Sequence, residues 1–307
     1  MKKILIPCLL LLILISACGN ADTDSTKEDN SSTEKEAETV AYESETGPID
    51  VPADPQRVVV LSGYTGNVIH LGVNVVGVDT WSKNNPTFEK ELKDVDEVSE
   101  DDLEKILELE PDLIIALSTV NGLDKLKSIA PTVTYTWGKV DYLTQHIEIG
   151  KLLNKEEEAK AWVDDFKQRA EKIGEDIRAE IGEDSTVSVI ESYGKDLFVY
   201  GDDFARGTEI LYQTFKLKMP EKIKENASEL GYYTLSAEVL PEFAGDYVVM
   251  SKYSEADTSF QETDTYKNIP AVQNGNIIEM QGEGASFNDP VTLEKQLALF
   301  KEGFLGN

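Results

Sequence analysis

The sequence predicts an α/β protein: two βα lobes with mainly parallel sheets, bridged by one long helix, with a cleft between the lobes. Three observations carry that expectation. Short β-branched runs alternate with helical stretches, which implies strands laid parallel through helical crossovers. One amphipathic stripe continues unbroken over residues 155–181. The strand–helix alternation then restarts in the second half of the chain.

The first lobe is expected over residues 49–154. Val58-Val59-Val60-Leu61 ends at Ser62-Gly63 and has the texture of a buried strand. A short helix is expected at 67–71 and a second strand at 73–78. Residues 101–109 are helical in pattern, and Pro111-Asp112 breaks into Leu113-Ile114-Ile115-Ala116. In the stripe, Ala159, Trp162, Phe166, Ala170, Ile173, Ile177 and Ile181 recur every three or four residues, and Gly182 closes the helix. Such a helix is about 40 Å long at the standard rise, enough to run across two lobes and join them.

The second lobe is expected over 182–307. Strands are predicted at 186–190 and 197–200, and an amphipathic helix at 208–215. Asp289 as N-cap, followed by Pro290, opens a last helix. Residues 103–115 also echo residues 237–249: an early Glu in a helix, a Pro- or Gly-marked turn with Asp, then a strand. Two lobes of similar build explain that echo.

Composition narrows the function. With 58 acidic against 29 basic residues the net charge is −29, which excludes a nucleic-acid partner. Two histidines, His70 and His146, cannot form a three-histidine zinc site. The chain has no Gly-rich phosphate loop, Cys-x-x-Cys pair, His-Glu-x-x-His or Gly-x-Ser-x-Gly. Neither enzymatic activity nor a resident metal or cofactor is therefore expected.

The N-terminus has a different texture. Met1-Lys2-Lys3, an apolar run over 4–15 and Ser16-Ala17 read as a secretory leader over 1–17, too short to span a membrane. Ile15-Ser16-Ala17-Cys18 resembles a bacterial lipobox. That resemblance implies acylation of Cys18 and a lipid anchor in the cell membrane, with the body outside the cytoplasm. Cys8 departs with the leader, and losing Lys2 and Lys3 takes the net charge from −29 to −31. Residues 18–48, with nine acids and two lysines, read as an extended, self-repelling tether. Without the tether the body carries −24.

Among the four arginines, Arg206 stands apart. It lies in Tyr200-Gly201-Asp202-Asp203-Phe204-Ala205-Arg206-Gly207, a loop between a strand and a helix, where α/β sheets bind ligands. Phe204 and Arg206 are spaced to face one cleft. Tyr64 and Trp81 follow strands of the first lobe, Trp137 follows the strand over 132–136, and Phe287 precedes the last helix. Any one of these rings suits a core; as a set at strand ends they suit an aromatic cleft.

These residues together resemble the iron-siderophore-binding lipoproteins of ABC importers, most nearly their ferric-hydroxamate-binding members. The resemblance rests on residues 200–207, Leu211-Tyr212-Gln213, Leu217-Lys218-Met219, Phe287-Asn288-Asp289-Pro290 and the lipobox. It implies that Arg206 bonds hydroxamate oxygens and Phe204 packs on the ligand. It further implies that Trp137 is the first-lobe aromatic and that Phe198 stands where relatives place Tyr. Phe204 and Ser286 replace residues that are often Trp. One Glu per lobe, Glu104 and Glu238, would dock on the ABC permease. The siderophore saturates its own iron, so the protein need supply no metal ligand, and a monomer is expected. Few cleft cations and a charge of −24 favour neutral or cationic trihydroxamates over anionic catecholate or citrate chelates. The alternative ligand is haem or a corrinoid, haem requiring an axial ligand; an extracellular hydrolase or an adhesive lipoprotein are the other classes.

Overall fold

The computed structural model describes residues 38–306. It opens on a hairpin: β1 (Thr39–Ser44) pairs antiparallel with β2 (Gly47–Pro52). Gly47, at φ 109°, turns the chain, and the Ser44 hydroxyl donates to the Gly47 carbonyl at 2.6 Å. Val40 faces Val51 across the hairpin and Tyr42 faces Ile49. Tyr42 is buried, with its hydroxyl 3.0 Å from that of Tyr135. The expected tether to residue 48 is thus corrected: residues 39–48 belong to the hairpin. Alternation of β-formers with acids makes a half-buried hairpin, which a count of charge alone reads as spacer. The leader, Cys18 and the tether up to residue 37 lie outside the described residues.

The first lobe follows: β3 (Val58–Leu61), α1 (Thr65–His70), β4 (Val75–Val78), α2 (Thr80–Lys83), β5 (Asp96–Glu97), α3 (Leu103–Glu108), β6 (Leu113–Leu117), α4 (Leu123–Lys127), β7 (Thr132–Tyr135) and α5 (Tyr142–Leu152). Its five strands are ordered β5-β4-β3-β6-β7, all pairings parallel. β3 and β7 are buried along their whole length, as the β-branched runs require.

The long helix is α6 (Glu156–Ile181), closed by Gly182 at φ 97°, whose N–H donates to the Arg178 carbonyl. Its first buried turn, at Ala159, belongs to the first lobe's core. Phe166, Ala170 and Ile177 belong to the second lobe's core. One helix therefore supplies both cores. Gly174 sits against Phe215, where an added Cβ would come within 2.7 Å of the Phe215 Cα.

The second lobe contains β8 (Val187–Tyr193), β9 (Asp196–Tyr200), α7 (Glu221–Ala227), β10 (Tyr232–Leu235), α8 (Leu240–Phe243), β11 (Tyr247–Lys252), α9 (Asp264–Lys267), α10 (Pro270–Gln273), β12 (Ile277–Gln281), α11 (Gly282–Ala285) and α12 (Pro290–Leu305). The expected helix at 208–215 is a π-helix over Glu209–Thr214. The sheet order is β10-β9-β8-β11-β12. β8, β11 and β12 run parallel, whereas β9 and β10 pair antiparallel. The two residues between β8 and β9, with Gly194 at φ 59°, permit a hairpin but no crossover.

The internal echo has a structural basis. Asp112, just before β6, accepts from the backbone N–H groups of Gln56 and Arg57 ahead of β3. Asp246, just before β11, accepts from the N–H and hydroxyl of Thr186 ahead of β8. β6 and β11 flank the central strands β3 and β8 in the same way. Each Asp therefore pins its strand to the centre of its sheet.

Two aromatic residues cross between the lobes. Tyr142, at the start of α5, packs in the second lobe's core, its hydroxyl 3.0 Å from that of Thr214. Phe287, from the end of the chain, packs in the first lobe's core, edge-on to Phe88 at 5.5 Å.

Candidate functional site

The Arg206 loop departs from ordinary backbone. Ala205, Arg206 and Gly207 have φ of 56°, 55° and 77°, three successive left-handed residues of which two carry side chains. Local polar groups hold this path. The Phe204 N–H donates to the Thr208 hydroxyl and the Ala205 N–H to Glu209 Oε1, both at 3.0 Å. The Arg206 N–H donates to the Ala285 carbonyl at 2.8 Å. Glu209 is buried, which raises its carboxyl above the usual range, and Asn288 donates to it at 3.0 Å.

This path aims Arg206 back at the sheet. Its Nε and Nη2 donate to Oε2 and Oε1 of Glu191, each at 3.1 Å. Glu191 lies in β8 between Phe198 of β9 and Ser251 of β11 in register. The Tyr200 hydroxyl also donates to Oε1 at 2.6 Å, and that of Ser251 to Oε2 at 2.8 Å. The guanidinium stacks over the Tyr200 ring at 4.6 Å, and Tyr200 in turn stacks on Phe204 at 5.5 Å. Burial is the largest influence on the Arg206 pKa and acts to lower it, but the Glu191 carboxylate with Tyr200 and Tyr253 together outweigh it and the net shift is upward. Burial likewise pushes the Tyr200 hydroxyl well above its ordinary value.

Arg206, Glu191, Tyr200, Phe204 and Phe198 line a cavity of about 240 Å³ with Tyr193, Tyr232, Tyr253 and, from the first lobe, Trp81. A larger cavity of about 800 Å³ adjoins it. Phe204 belongs to both, and Trp137 reaches into the larger one from the first lobe beside Asp202, Asp203, Met219 and Lys224. Burial raises the Asp203 carboxyl, with Asp202 adding to the effect. Trp81 is 56 % exposed and Trp137 43 % exposed, so two large rings stand open to solvent at the cleft. Trp137 is braced from behind: Glu45, at the hairpin tip, accepts from the Thr136 N–H at 3.2 Å and pairs with Lys139 at 3.3 Å.

The structure brings Arg206, Phe204, Phe198, Trp81 and Trp137 to the cleft. Tyr64 and Phe287 are placed differently. Tyr64 is 2 % exposed, stacked edge-on to Tyr135 within the first lobe's core, and reaches the cleft only as the floor beneath Trp137. Phe287 is 5 % exposed and lines none of the cleft cavities. Its expected place at the cleft mouth is therefore corrected: the buried Asp289 cap turns the chain so that Phe287 inserts beside Phe88.

Glu104 and Glu238 are both exposed. Glu104 lies in the first turn of α3, whereas Glu238 lies in the turn before α8 rather than in the helix, and the two precede the equivalent strands β6 and β11. The residues that sequence reasoning missed are Glu191, Tyr200, Tyr232 and Tyr253. A single carboxylate inside the buried run of β8 was the available signal, since a buried charge demands a partner.

His70 and His146 lie on α1 and α5, packed edge-on against each other at 5.1 Å and against Trp162. Neither lines the cleft cavities. Burial, with His70 adding to it, lowers the His146 pKa to about 3.

Comparison with known proteins gives the same outline. The chain is 36 % identical to the iron(3+)-hydroxamate-binding protein FhuD of Bacillus subtilis (strain 168), over 96 % of this chain and 94 % of that one. The FhuD protein from S. pseudintermedius superposes with a TM-score of 0.79 at 33 % identity, covering 88 % of this chain and 99 % of that one. FhuD2 from Staphylococcus aureus with bound ferrioxamine B gives 0.77 at 32 % identity, covering 82 % and 99 %. The family profile described as periplasmic binding protein matches residues 58–283, through both sheets, the long helix and the Arg206 loop. The chain belongs to the periplasmic binding protein family.

Proposed function

We propose that this protein captures a ferric siderophore of the hydroxamate type outside the cytoplasm and delivers it to an ABC permease. The observation that carries the reading is Arg206, held by Glu191 inside an aromatic cavity that both lobes line. A trihydroxamate chelate presents carbonyl and N–O oxygens around its iron and an apolar ring or chain outside. Arg206 suits those oxygens as a donor; Trp81, Phe198, Phe204 and Tyr232 suit the organic shell. The relatives named for iron(III)-hydroxamate or solved with ferrioxamine B support the same ligand class. The iron is cargo, and the chelate fills its coordination sphere.

Haem and corrinoids have less support, because the relatives named or solved with a ligand bind iron(III) hydroxamates. Glu104 and Glu238, exposed ahead of equivalent strands, suit docking on two matched permease subunits, each carboxylate against a basic patch. We further propose acylation at Cys18 and action as a monomer.

Tryptophan fluorescence tests the ligand. Trp81 and Trp137 stand at the cleft, and a bound ferric chelate quenches them. Saturable quenching by ferrioxamine B and ferrichrome, lost in part in Trp81→Phe while ultrafiltration still shows binding, is expected. Quenching by haemin alone, with a Soret shift, would replace the reading.

A further inference from the structure

We propose that Glu191 sets the charge selectivity of the cleft: by neutralising Arg206 it makes the cleft accept cationic and neutral ferric chelates and reject anionic ones. The proposal rests on the reading of the cleft as a ferric-chelate site. Four donors saturate the Glu191 carboxylate: Arg206 Nη2 and the Tyr200 hydroxyl at Oε1, Arg206 Nε and the Ser251 hydroxyl at Oε2. The side chains of Glu191 and Arg206 are 3 % and 14 % exposed, so water screens the pair poorly. Arg206 Nη1 donates to the Phe204 carbonyl at 3.2 Å. A guanidinium has five N–H groups, so two remain for a ligand oxygen. Arg206 therefore keeps its donors while its charge is cancelled.

Among the described residues no other charged group lines the 240 Å³ cavity; Trp81, Tyr193, Phe198, Tyr200, Phe204, Tyr232 and Tyr253 complete it. The adjoining cavity adds Asp202 and Asp203 with Lys218 and Lys224, and both lysines are already paired with acids outside it, Asp184 and Glu221, so among the described residues it offers an anion no free cation. An unpaired guanidinium at the same place would favour anionic chelates. The identity of one buried strand residue thus decides which sign of ligand the loop arginine serves. The net charge of the whole body also repels anions, but that field is long-range and screened by salt, whereas the pair is local.

The test uses one ferric core at three charges: ferrioxamine B as cation, its N-acetyl derivative as neutral, its N-succinyl derivative as anion. Fluorescence titrations are run on the wild type and on Glu191→Gln in about 1 M salt, where the Debye length is about 3 Å. In the wild type the anion is expected to bind no tighter than the neutral chelate. In Glu191→Gln the anion gains at least about tenfold relative to the cation, as one uncompensated charge at close range requires. A common shift of all three affinities would overturn the proposal, since it would mean that Glu191 only shapes the loop. If Glu191→Gln fails to fold by far-UV dichroism, the wild-type series alone decides: an anion bound tighter than the neutral chelate refutes cancellation. Absence of binding by all three to the wild type would sink the chelate reading itself, and this proposal with it.

Discussion

Replacing Arg206 by Met removes the charge but keeps much of the side chain's volume. The structure specifies what is left behind. Glu191, 3 % exposed, loses two hydrogen bonds and its ion-pair partner and keeps Tyr200 and Ser251. Stranding one member of a buried pair costs about 3–5 kcal/mol, whereas replacing both members by neutral groups is often near neutral. Arg206→Met alone should therefore lower stability by about 3 kcal/mol or more, a fall in Tm of roughly 6–12 °C for a chain of this size. Arg206→Met with Glu191→Gln should recover most of that loss, giving a coupling energy of about 3 kcal/mol. The assay is urea denaturation followed by far-UV dichroism on the wild type, both single variants and the double variant, with calorimetry for Tm. Additive single effects, within about 0.5 kcal/mol, would refute the reasoning, because the two side chains would then not act as one buried unit.

Two further outcomes follow from the junction of the lobes. Phe287→Ala should destabilise the whole chain by about 3–5 kcal/mol in urea while leaving a single transition, since the ring fills the first lobe's core from the far end of the chain; a cost under about 1 kcal/mol would show that it is not packed there. Burial raises the Asp289 carboxyl to about 6, above its unfolded value of 3.8, so the folded state binds the extra proton and that stabilisation is lost as pH rises between those values. Asp289→Asn keeps the cap and removes the titration, so the variant should gain on the wild type by about 3 kcal/mol between pH 4 and 6 and run parallel above it; a difference independent of pH would place the titration elsewhere.

Much of the architecture was legible because it is periodic. The β3 run, the stripe of α6 with Gly182, and the Asp289-Pro290 helix start all lie where spacing and caps put them. Arg206 and Phe204 were legible because a strand-to-helix loop with so rare a cation is distinctive. The rest was hidden for specific reasons. Glu191 is one acid among 58, and the only local sign of its burial is its place inside the apolar run of β8. Tyr64 and Phe287 follow strand ends or precede a helix as cleft residues do, yet their burial depends on Tyr135 and Phe88, far away in sequence. The hairpin over 39–52 was masked by its acids, although Tyr42 and Val51 have the alternation of a half-buried pair.

The exchange of Tyr142 and Phe287 between the cores bears on how the chain reaches its native state. The first lobe's core includes Phe287, which lies beyond every strand of the second lobe in sequence. Without that ring the first lobe would keep its five parallel strands but lose the partner that packs edge-on against Phe88. The second lobe in turn needs Tyr142 from the first. Each core is thus completed by a ring from the other lobe, and contacts of such long sequence range slow folding. The two lobes are therefore coupled in stability, and loosening either core removes a ring from the other.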